Sequence, residues 1–132
     1  MLFRSHFKKV NDTFGHLAGD EALKTVARCM HKELRQSDYI ARYGGEEFAV
    51  ILPETDSEDA MWGAERLRKR IERETFSHEE ARFSVTVSFG VASLFAGRSL
   101  SREGLIQLAD EALYQAKKSG RNRCCLSEPK PE

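Results

Sequence analysis

The sequence predicts an α+β fold, an α/β sandwich in which helices pack on one or both faces of a mostly antiparallel sheet. Tyr39 to Tyr43 and Phe48 to Leu52 suit two strands joined through Gly44-Gly45, whose access to positive φ suits a tight hairpin turn. Apolar residues recur at helical spacing as Leu23, Val26, Ala27, Met30 and Leu34, again as Ala60, Ala64, Leu67 and Ile71, and again from Leu105 through Leu108, Ala109, Ala112 and Leu113 to Ala116. Phe83, Val85, Val87, Phe89 and Val91 alternate with Ser84, Thr86, Ser88 and Gly90, the period of a strand.

In order, the chain opens on Leu2-Phe3-Arg4-Ser5, a residual strand at most. Phe7 to Phe14 reads as a short helix or turn closed by Gly15. Gly19-Asp20 opens the first long helix, with Asp20 as its N-cap, and Arg35-Gln36-Ser37-Asp38 ends it. Pro53 stops the second hairpin strand. Thr55-Asp56-Ser57-Glu58 is a capping-box pattern ahead of the next helix. That helix also carries Glu65, Arg66, Arg68, Lys69, Arg70, Glu72 and Arg73, a charged face that solvent and i,i+4 pairing account for. In the 83–91 strand the side opposite Phe and Val is small, so something can pack close or bind there. Ala96-Gly97-Arg98 reads as a loop, Lys117 and Lys118 suit the end of the last helix, and Gly120 suits its cap. Arg123 to Leu126 reads as a closing strand, and residues 127–132, with two prolines, as a disordered tail.

At 132 residues the chain has the length of one domain with a real core. Its 21 basic and 21 acidic residues cancel. No global field therefore draws nucleic acid polymers or anionic membrane, and phosphate binding has to be local. No apolar run approaches a membrane span, and residues 1–5 lack the apolar segment of a signal peptide. Cys29, Cys124 and Cys125 have no metal-ligand spacing and read as free thiols of a cytoplasmic protein.

Arg42-Tyr43-Gly44-Gly45-Glu46-Glu47-Phe48 resembles the signature of the GGDEF family, the diguanylate cyclases, in its GGEEF form. A bare Gly-Gly-Glu-Glu is equally a hairpin with a solvated acidic edge. The remaining matches distinguish them: Phe7 to His16 (Phe-Lys-Lys-Val-Asn-Asp-Thr-Phe-Gly-His), Gly19-Asp20, Val87-Ser88-Phe89-Gly90-Val91-Ala92, and Ala109 to Lys117 running into Gly120-Arg121-Asn122, all in family order and spacing. The resemblance covers residues 6–126, leaving 1–5 as a truncated or non-native lead.

The resemblance implies a ferredoxin-like βαββαβ core similar to nucleotidyl cyclases and polymerase palms, with the first strand cut short. It implies an enzyme that joins two GTP into cyclic di-GMP and pyrophosphate. In the family each subunit of an antiparallel homodimer holds one GTP, and a ribose 3′-hydroxyl attacks the α-phosphate held opposite. It further implies Mg²⁺ or Mn²⁺, a hard cation on oxygen ligands, and an upstream sensor domain in the parent protein.

By position, Glu46 matches the family's metal-binding carboxylate, and Glu47 its catalytic neighbour, at a second metal or as a base. Asn11 and Asp20 match the pair that reads guanine, although Asp20 is equally an N-cap. Lys117 and Arg121 match the triphosphate contacts and are also a cationic helix end. His6, Phe7 and Lys8 would offer backbone N–H groups to the terminal phosphates. Gly44 and Gly45 count with the substrate contacts. Arg35-x-x-Asp38, five residues ahead of Gly44, has the spacing of the family's inhibitory product site, with Arg66 as a third contact. An i,i+3 ion pair at a helix end is the plainer account.

The first family strand ends in Asp-x-Asp. Counting back from Asn11, those aspartates fall on Phe3 and Ser5, neither of which has a carboxylate. Most of the strand and the leading helix are absent as well, which leaves an edge open to strand exchange. Leu2 to Ser5 are also what the end of a common sequencing adapter encodes, and so read as an assembly scar. Two readings remain: a cyclase impaired by a lost metal ligand, or an inactive module that binds cyclic di-GMP through Arg35 and Asp38, or GTP near Glu46.

Overall fold

The computed structural model describes residues 2–5, 8–44, 47–94 and 101–127. The chain runs β1 (Leu2–Ser5), α1 (Lys8–Phe14), α2 (His16–Glu33), β2 (Tyr39–Gly44), β3 (Glu47–Ile51), α3 (Ser57–Arg73), β4 (Phe76–His78), β5 (Ala81–Phe83), β6 (Val87–Ala92), α4 (Arg102–Lys118) and β7 (Cys124–Ser127). Five strands form one sheet in the order β2-β3-β1-β6-β7, and β4 and β5 form a separate hairpin. All neighbours in the main sheet are antiparallel except β6 and β7.

The alternation within the strands assigns each face its helices. Phe48, Val50, Val87, Phe89 and Val91 point into one cluster with Val26 and Met30 of α2 and Ala64, Leu67 and Ile71 of α3. Burying each large aliphatic side chain there contributes roughly 1.5–3 kcal/mol. On the other face Ala109 and Leu113 of α4 pack with Ala49 and Ala92. The small side of β6, noted in the sequence, is where α4 comes closest. A Cβ on Gly90 would stand 2.1 Å from the Ala109 carbonyl oxygen and 2.3 Å from the Leu113 nitrogen.

The expected gap at the first strand is corrected. Leu2–Ser5 occupies the central slot, pairing Leu2↔Ala49, Phe3↔Phe48 and Arg4↔Glu47 on one side, and Phe3↔Phe89, Arg4↔Ser88 and Ser5↔Val87 on the other. No sheet edge is left open there, because four residues suffice to bridge β3 and β6.

Several boundaries also move. Helix α2 starts at His16 with Gly15 as N-cap, at φ 93. Asp20 is therefore inside the helix and caps nothing: the left-handed backbone at Gly15 is what separates α1 from α2. Asp56, not Thr55, caps α3, its carboxylate accepting from the Asp59 N–H at 2.8 Å. The apolar alternation from Phe83 to Val91 is not one strand. Phe83 closes the β4–β5 hairpin, paired with Phe76, and its ring stacks on Phe14 and Phe76 at 5.0 and 5.9 Å. The closing strand starts at Cys124, one residue later than expected. Ser127, expected to begin the tail, is the last residue of β7, while the loop at 96–98 and residues 128–132 lie outside the described residues. Among the described residues no helix is long and apolar enough to cross a membrane.

Candidate functional site

The register places Glu47 and the turn bearing Arg121 at one end of the sheet. Glu47 of β3 pairs with Arg4 of β1, Arg4 pairs with Ser88 of β6, and the Ser88 hydroxyl accepts from the Asn122 N–H at 3.0 Å. Two strand spacings separate Glu47 from Ser88, about 10 Å, and the turn bearing Arg121 lies just beyond. Helix α1 begins three positions after β1 ends, at this same end. Gly44 pairs with Glu47 across a register shift that follows Arg42↔Phe48, so strand β2 runs one residue further than the sequence implied. The irregularity sits directly beside the acidic stretch, where a bulge re-aims side chains. Glu47 is half-buried. Gly45, Glu46, His6 and Phe7 lie outside the described residues. Lys8 is the first residue of α1.

Asn11 and Asp20 are brought near one another by close packing of α1 on α2. A Cβ at Gly19 would stand 1.7 Å from the Asn11 side-chain oxygen. The amide thus lies over bare backbone, one residue from the exposed carboxylate of Asp20. Only glycine permits this approach.

Lys117 and Arg121 are joined by the end of α4. The Arg121 N–H donates to the Ala116 carbonyl at 2.9 Å and the Gly120 N–H to the Lys117 carbonyl at 3.4 Å. These are the paired bonds of a Schellman turn, which needs positive φ at Gly120 (φ 128). Arg121 and Asn122 then hold φ of 63 and 48, a conformation that needs support from its surroundings. Asn122 supplies it: its side-chain oxygen accepts from Arg68 at 3.0 Å, and its amide donates to Glu72.

This corrects the reading of α3 as a plainly solvated charged face. The Arg68 side chain is only 13% exposed and is also bound to Glu65. The Arg68 guanidinium holds the Glu65 carboxyl below the ordinary carboxylate range, and burial pushes the neighbouring Cys124 thiol up. One signal was present in the sequence. Arg68 follows Ala64 by four residues, at the border of the apolar stripe, with Glu65 and Glu72 in i−3 and i+4 reach.

Arg35, Asp38 and Arg66 line a single cavity of about 290 Å³, together with Thr55, Trp62 and Gly63. Asp38 is the anchor, its side chain 3% exposed. It accepts from the Arg35 backbone N–H at 2.9 Å and from the guanidinium at 3.0 Å. Arg35 further donates to the Thr55 hydroxyl at 2.8 Å and the Pro53 carbonyl at 3.3 Å. Thr55, displaced from its expected cap, therefore serves the arginine. Arg66 donates to the Glu33 carbonyl at 3.0 Å. A larger cavity of about 920 Å³ runs along the exposed face of α2 by Lys24, Arg28 and His31, and no sequence-predicted residue lines it.

Among the described residues, Glu47 is the hairpin carboxylate available as an oxygen donor for a hard cation. The register position of Phe3, one rung from Glu47, contributes none. Among the described residues no group of three or more His, Cys, Asp or Glu side chains is arranged to hold a metal. Among the described residues the donor set fits a divalent cation incompletely.

Comparison with known proteins gives a consistent result. Residues 1–123 match the family model described as diguanylate cyclase, GGDEF domain. Diguanylate cyclase DgcP of Pseudomonas aeruginosa is 48% identical over 118 residues, covering 89% of this chain and 17% of that protein. Diguanylate cyclase A of Treponema denticola is 43% identical over 128 residues, covering 97% and 34%. The chain thus spans about a third or less of these relatives' length. Among solved structures, the active GGEEF domain of a diguanylate cyclase from Vibrio cholerae superposes with a TM-score of 0.88 at 35% identity, covering 98% of this chain and 81% of that one. The GGDEF domain of DgcB from Caulobacter crescentus, in complex with c-di-GMP, gives 0.87 at 32% identity, covering 95% and 74%.

Proposed function

The chain belongs to the GGDEF family of diguanylate cyclases, and on that premise we propose that it is the output domain of an enzyme condensing two GTP into cyclic di-GMP, impaired here by the missing carboxylate at Phe3. The observation that carries this reading is the row Glu47–Arg4–Ser88–Asn122 across one sheet end. It spans about 10 Å between Glu47 and Ser88 and ends beside the turn of Arg121.

Each residue then has a task. The Asp20 carboxylate accepts from guanine N–H groups while the Asn11 amide meets the ring acceptors. Lys117 and Arg121 neutralise the triphosphate, Arg121 fixed by its turn. Backbone N–H groups at Phe7 and Lys8 receive the terminal phosphates, and Gly44 and Gly45 count with the substrate contacts. Glu46 and Glu47 would hold Mg²⁺ or Mn²⁺, which when bound offsets phosphate charge and makes the 3′-hydroxyl more acidic. One domain holds one GTP and the product contains two, so turnover requires a homodimer. The relatives' greater length fits an upstream sensor that governs it. Arg35, Asp38 and Arg66 form the inhibitory product site. That same cavity favours the second reading, a binding module for cyclic di-GMP, should turnover be absent.

Calorimetric titration tests the nucleotide site without requiring turnover. GTP should bind at least a hundredfold more tightly than ATP, since a site built to pair with one base edge rejects another. Asn11→Ala should cost about tenfold in GTP affinity. Equal affinity for both nucleotides would contradict the assignment.

Gly19→Ala makes a separate case. The methyl group must push the Asn11 amide aside, a flexible side chain, so stability should barely change and helix propensity even improves by up to about 1 kcal/mol. GTP affinity should nevertheless fall about as far as in Asn11→Ala. A melting temperature and a titration on the same sample check both halves.

A further inference from the structure

Trp62 is the chain's single tryptophan, and it stands 74% exposed on α3. An indole left in water adds nothing to the core, so its position asks for another explanation. It lines the cavity of Arg35, Asp38 and Arg66. Trp62 and Arg66 are four apart on α3, hence on one face. Beside Trp62, Gly63 has no atom within 4 Å of where its Cβ would be. Nothing packed against it requires glycine, and glycine in mid-helix costs about 1 kcal/mol. Its missing side chain leaves open floor next to the indole.

Both cations of the cavity are held in place yet remain accessible. Arg35 is fixed by Asp38, Thr55 and Pro53, and its side chain is 57% exposed. Arg66 is fixed by the Glu33 carbonyl, and its side chain is 59% exposed. Fixed guanidinium groups match phosphate oxygens or the O6/N7 edge of guanine. A flat aromatic beside them matches the face of a base. At about 290 Å³ the cavity is at the small end for ligand pockets.

We propose that Trp62 is the base-stacking platform of this cavity, with one guanine of cyclic di-GMP lying on the indole above Gly63 between Arg35 and Arg66. The proposal rests on the reading of this cavity as a cyclic di-GMP site, and adds to it the residue that recognises the base by its face.

A lone tryptophan makes the test direct, because all tryptophan emission comes from residue 62. Titration with cyclic di-GMP should quench that emission saturably, with the same midpoint as a calorimetric titration. Trp62→Ala should weaken calorimetric binding about tenfold or more, and Trp62→Phe should recover most of the loss. Arg35→Ala should abolish binding in both measurements. If cyclic di-GMP binds in an Arg35-dependent manner while emission is unchanged and Trp62→Ala binds as tightly, the stacking role is overturned and the cavity's reading survives. If cyclic di-GMP does not bind, or binds equally well to Arg35→Ala, the reading of the cavity falls and the stacking role with it.

Discussion

Gly90→Val should leave little folded protein, and Gly90→Ala should lower the melting temperature by 10 °C or more. Strand β6 lies between β1 and β7, and at Gly90 the backbone of α4 rests directly on it. The atoms a Cβ would meet are the Ala109 carbonyl oxygen, the Leu113 nitrogen and the Leu113 Cα, at 2.1, 2.3 and 2.8 Å. None of these can rotate away, because they belong to a helix whose Ala109, Ala112 and Leu113 are buried. The helix must lift off the sheet. Overpacking of this kind costs roughly 1–3 kcal/mol or more, and part of the burial of Leu113, worth about 1.5–3 kcal/mol, is lost as well. Against a total stability of about 5–15 kcal/mol, that is a large fraction. At about 3–5 °C per kcal/mol for a domain of this size, the expected shift follows. Gly63→Ala is the internal control: with open space at its Cβ position it should be neutral or stabilising by up to about 1 kcal/mol. A shift below about 3 °C for Gly90→Ala would mean that α4 is not seated on β6 as described.

The contrast between those glycines shows what the sequence could and could not convey. The small side of β6 was legible as a place for close packing, since the alternation is local. Which element fills it was not, because α4 arrives from residues 102–118. The helices and the hairpin were legible for the same reason, their period being contained within each segment. Caps were misassigned wherever two residues compete. Asp20 has the chemistry of a cap, but α2 already begins at His16, behind the positive φ of Gly15 five residues before Asp20, and Gly19 is bare where Asn11 comes against it. Thr55 loses to Asp56 because its hydroxyl is taken up by Arg35 and Pro53. The alternation across Phe83 to Val91 hid a break, since a period of two continues through an irregular link. At the candidate site, motif spacing names Asn11, Arg35 and Arg121 as candidates, whereas the bond between Arg68 and Asn122 has no local signal. Their connection spans 54 positions and exists only once α3 lies beside the turn before β7.

Phe3→Asp should raise the rate of GTP condensation about a thousandfold or more in the presence of Mg²⁺. The register supplies the reason. Phe3 pairs with Phe48 and Phe89, one rung from the pair Arg4↔Glu47, so position 3 lies on the strand adjacent to the acidic end of the hairpin, in register with Phe48 and not with Glu47. A missing metal ligand withholds several kcal/mol of transition-state stabilisation, and about 4 kcal/mol at 1.4 kcal/mol per decade is roughly a thousandfold. The gain should carry a cost. Phe48 and Phe89 are buried, and a carboxylate on their row loses hydration, which raises its pKa unless a cation compensates. Phe3→Asp should therefore melt below the unaltered chain in a chelator and recover when Mg²⁺ is added, a shift the unaltered chain should lack. Release of pyrophosphate and formation of cyclic di-GMP measure the rate, and calorimetry confirms that GTP still binds. Robust turnover by the unaltered chain would refute the impairment. A variant that binds GTP normally, gains no rate and shows no metal-dependent recovery would mean that position 3 is not where the cation is held.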